Sequence, residues 1–432
     1  MAGIVFLIFG LCLALSVPVA VSMVMGAWAP VLLGTHGVAG AGQLIRNTFS
    51  GADTTPIIAV PLFILAGIIM AEGGISRRLF NVFAFGIGKL TGGLPCAVIM
   101  TCLFYGAISG SGPATTAAVG AMAIPFLAGM GYDKTFCAAI VAVSGGLGVI
   151  IPPSIPLVLY SLATGVSTSQ LFLAGVLPGI FIAVCLMVYA VWYCKRKGEN
   201  KTKIAEAVDA MRAQGFWVLF KDSFFALLSP VVVLGGIYSG FFTPTEAACV
   251  SVFYSLIVSV CIYKTISCRS LLKLLRLAVK TYAPLCFVLA FAIAFGRTLA
   301  LLKAPDLISG FVLDVSQSKH VILFLVVIVF YFLGMVMDTG PAIVIMAPIL
   351  LPVVLKLGVD PVHFGVIMVV NLAVGLVTPP FGIDLFVAGT LSETPPMTVA
   401  KKAMPFISVF TLALLFIAYV PKLSLLLPGL VF

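Results

Sequence analysis

The residues best placed to do chemistry lie in two short polar interruptions of an otherwise apolar chain. The first reads Ser109-Gly110-Ser111-Gly112-Pro113 and the second Met337-Asp338-Thr339-Gly340-Pro341. Apolar arms of roughly fifteen residues flank each one, short of the ~20 that a spanning helix needs. Each therefore reads as a re-entrant hairpin, a helix–turn–helix that enters a bilayer and leaves by the same side. Unwound backbone at membrane depth is tolerated only where it is buried in protein or lines a cavity. Its free carbonyls, with the hydroxyls of Ser109, Ser111 and Thr339, are hard oxygen donors of the kind that hold Na⁺ at interrupted helices.

A second pair of interruptions reads Gly148-Val149-Ile150-Ile151-Pro152-Pro153-Ser154 and Gly375-Leu376-Val377-Thr378-Pro379-Pro380-Phe381. A double proline removes two backbone donors and frees the carbonyls one turn earlier. Each predicts a broken helix whose exposed carbonyls face a hairpin tip, so that one tip and one break supply one cation site. The helix halves beginning at Gly112-Pro113 and Ser154, and their copies from Gly340 onward, turn their N-termini toward the same centre. Positive dipole ends of that kind suit a substrate carboxylate. Asp338 and Asp384 are acids inside apolar segments, and intramembrane acids are functional candidates by default. Asp384 has no acidic counterpart in the first half, where Leu157 aligns. It reads as substrate-binding or as a structural pairing group, and Arg297 as its partner or as a membrane-surface anchor. Taken singly, a Gly-Pro or Pro-Pro is a packing or kinking device; the recurrence of both elements favours a site.

These elements need a membrane to position them. Of 432 residues, 62 % are hydrophobic and 9 % charged, where soluble domains run near a quarter charged. The formal charge of +10 clusters in short segments, as cytoplasmic loops require, and does not indicate nucleic acid. Apolar stretches fall near 3–16, 18–34, 56–72, 75–90, 94–108, 114–130, 132–150, 154–163 and 169–194. They resume at 216–238, 244–264, 281–302, 308–316, 319–335, 342–357, 362–377, 381–391 and 403–430. Stretch 3–34 reads as two short spans broken at Pro18, with both chain termini in the periplasm. The first charged residue of the chain is Arg46, so no secretory signal is expected. The hydrophilic run 195–222 predicts a cytoplasmic amphipathic connector. The run 264–280 carries Lys264, Arg269, Lys273, Arg276 and Lys280 without an acid, and predicts a helix lying in the interface. Ten cysteines without a CxxC pair predict neither disulfides nor structural zinc. His36, His320 and His363 form no metal-binding pair.

The two halves match each other. Gly106 and Gly334, and Gly112-Pro113 and Gly340-Pro341, are separated by 228 residues. One residue out of step, an offset of 227 pairs Pro125 with Pro352, Gly131 with Gly358, Asp133 with Asp360, Ser144 with Asn371, Gly148 with Gly375 and Pro152-Pro153 with Pro379-Pro380. An odd number of crossings lies between the copies, so the second is inverted. The division reads as residues 1–194 (hairpin about 94–130, broken helix about 132–163), connector 195–215, and residues 216–432 (hairpin about 319–357, broken helix about 362–391). Paired interrupted helices in inverted repeats are the architecture of secondary transporters. The fold expected is an all-α polytopic membrane protein with two re-entrant hairpins and two broken helices. An intramembrane enzyme using Asp338 and Asp384, and a passive anion channel, are the competing readings.

The segments FYGAISGSGPATTAAVG, GGLGVIIPPSIPLVLY, FLGMVMDTGPAIVIMAPILLPV and LAVGLVTPPFGIDLF resemble the large membrane subunit of TRAP transporters, the tripartite ATP-independent periplasmic transporters of DctM type. The resemblance covers essentially the whole chain. It implies an elevator with a scaffold and a transport domain in the bacterial inner membrane, driven by Na⁺ and not by ATP. It also implies two partners, a small four-helix membrane subunit and a periplasmic substrate-binding protein that delivers an organic acid anion. Carried over by position, Ser109, Ser111, Gly148, Ile151 and Pro153 would surround one Na⁺, and Asp338, Thr339, Gly375, Thr378 and Pro380 another. Gly112, Pro113, Ser154, Gly340 and Asp384 are the substrate-binding candidates. The small subunit is expected as a separate polypeptide. Sialic acid is the first expectation for the substrate and a C4-dicarboxylate the second.

Overall fold

A computed structural model describes residues 1–33, 40–213 and 215–432, so His36 lies outside the described residues. Among these residues every regular element is a helix. The first half runs α1 (Ala2–Ala14), α2 (Val19–Leu32), α3 (Ala41–Ala52), α4 (Thr55–Glu72), α5 (Ile75–Ile87), α6 (Gly93–Ser109), α7 (Gly112–Gly129), α8 (Lys134–Gly145), α9 (Ile155–Thr164) and α10 (Thr168–Lys197). After α11 (Lys201–Ala213) come α12 (Phe216–Tyr238), α13 (Pro244–Leu256), α14 (Cys268–Leu301), α15 (Ala304–Val315), α16 (Lys319–Val336), α17 (Thr339–Lys356), α18 (Pro361–Leu376), α19 (Ile383–Ser392) and α20 (Pro396–Tyr419). Among the described residues, eight helices are long and apolar enough to cross a membrane, or up to nine with the bent pair α4–α5 as one span.

Local chemistry sets the boundaries. Gly110 ends α6 in a left-handed conformation (φ 62°), and extended Ser111 opens α7. Asp133 and Asp360, at matching positions, cap α8 and α18: Asp133 accepts from Thr135 N–H, and Asp360 from Val362 and His363 N–H. The double prolines interrupt the helical runs between α8 and α9 and between α18 and α19, and both Pro-Pro bonds are cis. The order of elements in the first half recurs in the second, with α14 in the place of α3 and α4.

The recurring runs are antiparallel. Lys134 Nζ at the start of α8 pairs with Glu393 at the end of α19 (3.2 Å). The Tyr160 hydroxyl near the end of α9 donates to Pro361 O at the start of α18 (2.7 Å). Around them α6–α10 and α16–α20 form one packed body, with α8 and α18 at its centre. Residues Phe136–Gly145 and Val362–Leu376 are buried throughout, as a helix apolar on every side requires. Helices α1–α4 and α12–α14 pack as a second body, and α4, α5, α12, α14 and α15 carry contacts between the two.

Two expectations change. The basic run 264–280 is not a separate interfacial helix, because α14 continues unbroken for 34 residues, about 51 Å at 1.5 Å per residue. Nothing at Thr281–Ala283 breaks the helix, and Pro284 is accommodated within it. Helix α3 was not anticipated: Gln43, Arg46, Asn47 and Thr48 interrupt the apolar pattern, although its amphipathic spacing is helical.

Candidate functional site

The first tip is built by its own hydroxyls. Ser109 Oγ lies 2.8 Å from Thr115 Oγ1, Thr115 Oγ1 donates to Ser111 O at 2.8 Å, and Ser109 Oγ donates to Ser111 O at 3.3 Å. The break presses against this cluster. A methyl group on Gly148 would sit 2.4 Å from Thr115 Oγ1 and 2.7 Å from Ser111 O, and one on Gly110 would sit 2.7 Å from Pro153 O. Ile155 N–H donates to Gly110 O at 3.2 Å, tying the break to the tip. Ser109, Ser111, Gly148 and Pro153, the residues the resemblance groups, therefore lie together, and Thr115 joins them. The side chain of Ile151 points elsewhere, against Gly179 on α10, so only its backbone is available to the cluster.

The second tip is looser. Asp338 caps α17 by accepting from Thr339 N–H at 2.7 Å, and its side chain is exposed. The backbones of Gly334 and Gly375 touch: a methyl on Gly375 would lie 2.4 Å from Gly334 C. The matching pair in the first half behaves alike, since a methyl on Gly106 would lie 2.7 Å from the Gly148 Cα. Phe381 N–H donates to Met335 O at 3.2 Å. The Thr378 hydroxyl, however, donates into its own helix, to Val374 O at 2.6 Å. Pro380 is exposed, where its counterpart Pro153 is buried. Ile343 stands where the first half has Thr115, so the second tip lacks that bracing hydroxyl.

Both tips open on one cavity of about 350 Å³. Gly110, Ser111 and Pro113 line it from the first tip and Asp338, Thr339, Gly340 and Pro341 from the second. Pro156 and Leu159 of α9, with Thr281 and Leu285 of α14, close its sides. The N-termini of α7 and α17 thus face a common space, and among the described residues no Lys, Arg or His lines it. A further cavity of about 520 Å³ shares Ser111, Pro113 and Thr281 and runs along α4 and α7 past Gly67, Ala118 and Glu72.

Three substrate-binding candidates, Gly112, Ser154 and Asp384, do not line this cavity. Ser154 is fully buried; its hydroxyl donates to Val149 O (2.5 Å) and accepts from Leu157 N–H (3.3 Å), which caps α9. Asp384 is fully buried too, against Gly112 on the far side of the α7 terminus. It has no hydrogen-bond partner, so it forms no acid dyad with Asp338, and Arg297 is not its partner. Arg297 instead donates to Asn47 Oδ1 (2.8 Å) and Ser50 Oγ (3.0 Å) on α3. The residues that sequence reasoning missed are Thr115 and Thr116. Their signal was present: two adjacent hydroxyls one turn beyond the tip, on the face that meets the break.

Comparison with known proteins places this arrangement. The family described as "Tripartite ATP-independent periplasmic transporter, DctM component" matches residues 6–423. The isethionate TRAP transporter permease protein DctMQ of Oleidesulfovibrio alaskensis is 40 % identical over 427 residues, 99 % of this chain but 66 % of that protein, so the chain spans just under two thirds of its length. The C4-dicarboxylate large permease protein DctM of Pseudomonas aeruginosa is 36 % identical, covering 90 % of this chain and 89 % of its own. The sialic acid large permease protein SiaM of Vibrio cholerae is 33 % identical over 100 % of this chain and 99 % of its own. The YdaH transporter of Alcanivorax borkumensis shares the fold at a TM-score of 0.61 and 13 % identity, over 89 % of this chain and 87 % of its own.

Proposed function

Because the chain belongs to the DctM component family of tripartite ATP-independent periplasmic transporters, we propose that it is the large membrane subunit of a Na⁺-coupled importer of a small organic anion. The observation that carries this reading is the cavity between the tips. It is faced by two helix N-termini and a carboxylate, Asp338, and, among the described residues, by no basic side chain. An anion there must be held by backbone dipoles and by cations bound beside it, and transport tied to Na⁺ follows from that need. One Na⁺ belongs at Ser109, Ser111, Gly148 and Pro153, with Thr115 bracing the tip and Ile151 contributing backbone. The other belongs at Asp338, Thr339, Gly375, Thr378 and Pro380. Gly112, Pro113 and Gly340 present the substrate's carboxylate or sulfonate with helix N-termini.

The antiparallel runs and the two packed bodies support an elevator between inverted repeats. In it α6–α10 and α16–α20 move against a scaffold of α1–α5 and α12–α15 in the bacterial inner membrane. The basic segments at 195–222 and 264–280 lie on the cytoplasmic side. Delivery by a periplasmic binding protein and support by a separate small four-helix subunit complete the assembly, without ATP. Sialic acid and C4-dicarboxylates are the substrates the motifs suggest, and isethionate joins them through the name of the 40 % identical relative. The test is uptake by the reconstituted complex, with its binding protein, across this panel. Accumulation should require an inward Na⁺ gradient, and equal accumulation with K⁺ in place of Na⁺ overturns the coupling.

A further inference from the structure

Asp384 belongs to neither tip-and-break cluster and does not line the cavity, yet it is a fully buried carboxylate with both oxygens unpartnered. It projects from the first turn of α19 onto the start of α7. A methyl on Gly112 would lie 3.1 Å from Asp384 Oδ2 and 3.5 Å from Oδ1. One turn along α7, the Thr116 hydroxyl faces the same carboxylate closely enough to donate to it, and it too is fully buried with no other partner. Gly145 of α8 seals the other side, where a methyl would come within 1.8 Å of Thr116 Oγ1. The other titratable groups near enough to feel Asp384 are the Cys102 thiol of α6 and Asp338. Neither can supply a positive charge. A charged carboxylate removed from water with no cationic partner is strongly disfavoured; a bound cation compensates it, and so does a proton, and the α7 N-terminus beside it supplies only a partial positive charge.

We propose that Asp384 and Thr116 hold a small monovalent cation, with Na⁺ as its probe, at a site separate from the two tip-and-break sites. This rests on the reading of the chain as a Na⁺-driven anion importer. Three hard oxygens, two from the second half and one from the first, converge there. A divalent ion is disfavoured, because no group of three or more acidic, His or Cys ligands occurs among the described residues. The site has a consequence for the substrate. Unneutralised, Asp384 opposes the positive end of α7, the same terminus that presents Pro113 to the cavity. A cation on Asp384 restores that end, so cation and anion binding favour one another, and by linkage each strengthens the other equally.

Two readouts test the site on D384N, T116A and T116S: Na⁺-dependent thermal stabilisation of the purified protein, and Na⁺ dependence of uptake by the reconstituted complex. D384N should lower the Na⁺ Hill coefficient of uptake by about one and lessen the stabilisation by Na⁺. T116A should raise the Na⁺ concentration for half-maximal effect several-fold, and T116S should restore it. Wild-type Na⁺ dependence retained unchanged in D384N and T116A overturns this site and leaves the importer reading intact. A change confined to the pH dependence, at constant Na⁺ response, assigns a proton instead and overturns it as well. Wild-type uptake indifferent to Na⁺, with stabilisation by Na⁺ still weakened in T116A, supports the site and removes the coupling. Should D384N fail to fold, T116A against T116S carries the decision.

Discussion

At the scale of single residues, the two tip-and-break clusters depend on glycines that let backbone meet backbone. Gly106 crosses Gly148 and Gly334 crosses Gly375 at distances that leave no room for a methyl group. The obstructing atoms are main chain, which cannot swing aside. Gly375→Ala should therefore cost about 1–3 kcal/mol of stability and abolish uptake, measured by melting in detergent and by transport. Gly235→Ala, where nothing lies within 4 Å, should leave both unchanged. Thr115 is the other discriminating residue. Thr115→Val keeps the volume and removes the hydroxyl that braces Ser109 and Ser111. It should cost about 1 kcal/mol and raise the Na⁺ concentration for half-maximal uptake. Unaltered Na⁺ dependence would show that the first cluster does not bind the ion.

At the scale of elements, the connector is more than a tether. Glu199, just ahead of α11, accepts from Gly92 N–H with both oxygens (3.1 and 3.0 Å) and from the Tyr132 hydroxyl. Gly92 opens α6 and Tyr132 lies between α7 and α8, so one carboxylate fastens the base of the first hairpin. Burial, reinforced by Glu199, pushes the Tyr132 phenol well above its ordinary pKa and keeps it a donor. Lys89, just after α5, pairs with Asp209 of α11, and Arg78 of α5 with Asp222 of α12; with at least one half-exposed partner in each, these pairs contribute little individually. Glu199→Ala should lower stability by about 1.5–3 kcal/mol, the range for hydrogen bonds to a charged group. Tyr132→Phe should cost less. Thermal melting of the purified variants checks both, and equal melting of E199A and wild type contradicts the fastening role.

At the scale of the whole molecule, the boundary between the two bodies passes through the site. Gly67 of α4 packs on Ser109 of α6, where a methyl would lie 3.0 Å from the Ser109 Cα. The Tyr105 hydroxyl donates to Gly67 O at 3.2 Å across the same boundary. The sliding proposed for one body past the other would need this smooth surface. If the two bodies slide as proposed, Gly67→Val should block uptake; it crowds Ser109 in the first cluster, so stabilisation by Na⁺ should fall only in part, with the second cluster untouched. Loss of both would identify Gly67 with static packing and argue against an elevator.

Much of this molecule is determined by the sequence alone, for reasons of solvent and of local chain stiffness. The 9 % charge requires lipid as the surroundings. Gly110, the double prolines, and Asp133 with Asp360 fix where helices stop and start, because each acts on its own backbone within a turn. The recurrence of that punctuation over half the chain predicts a repeat before any contact is known. Tertiary structure alone decided the rest. Whether 264–280 lies in the interface or extends α14 depends on continuity through Thr281–Pro284, which composition does not specify. Asp384 and Thr116 come from opposite halves of the chain. That they share a dry, unpartnered space follows from how α19 packs on α7 and α8, not from either local segment. The same packing turned Ser154 inward as a cap and left Asp338 facing the cavity. A buried polar group takes its role from whichever groups the fold brings within reach.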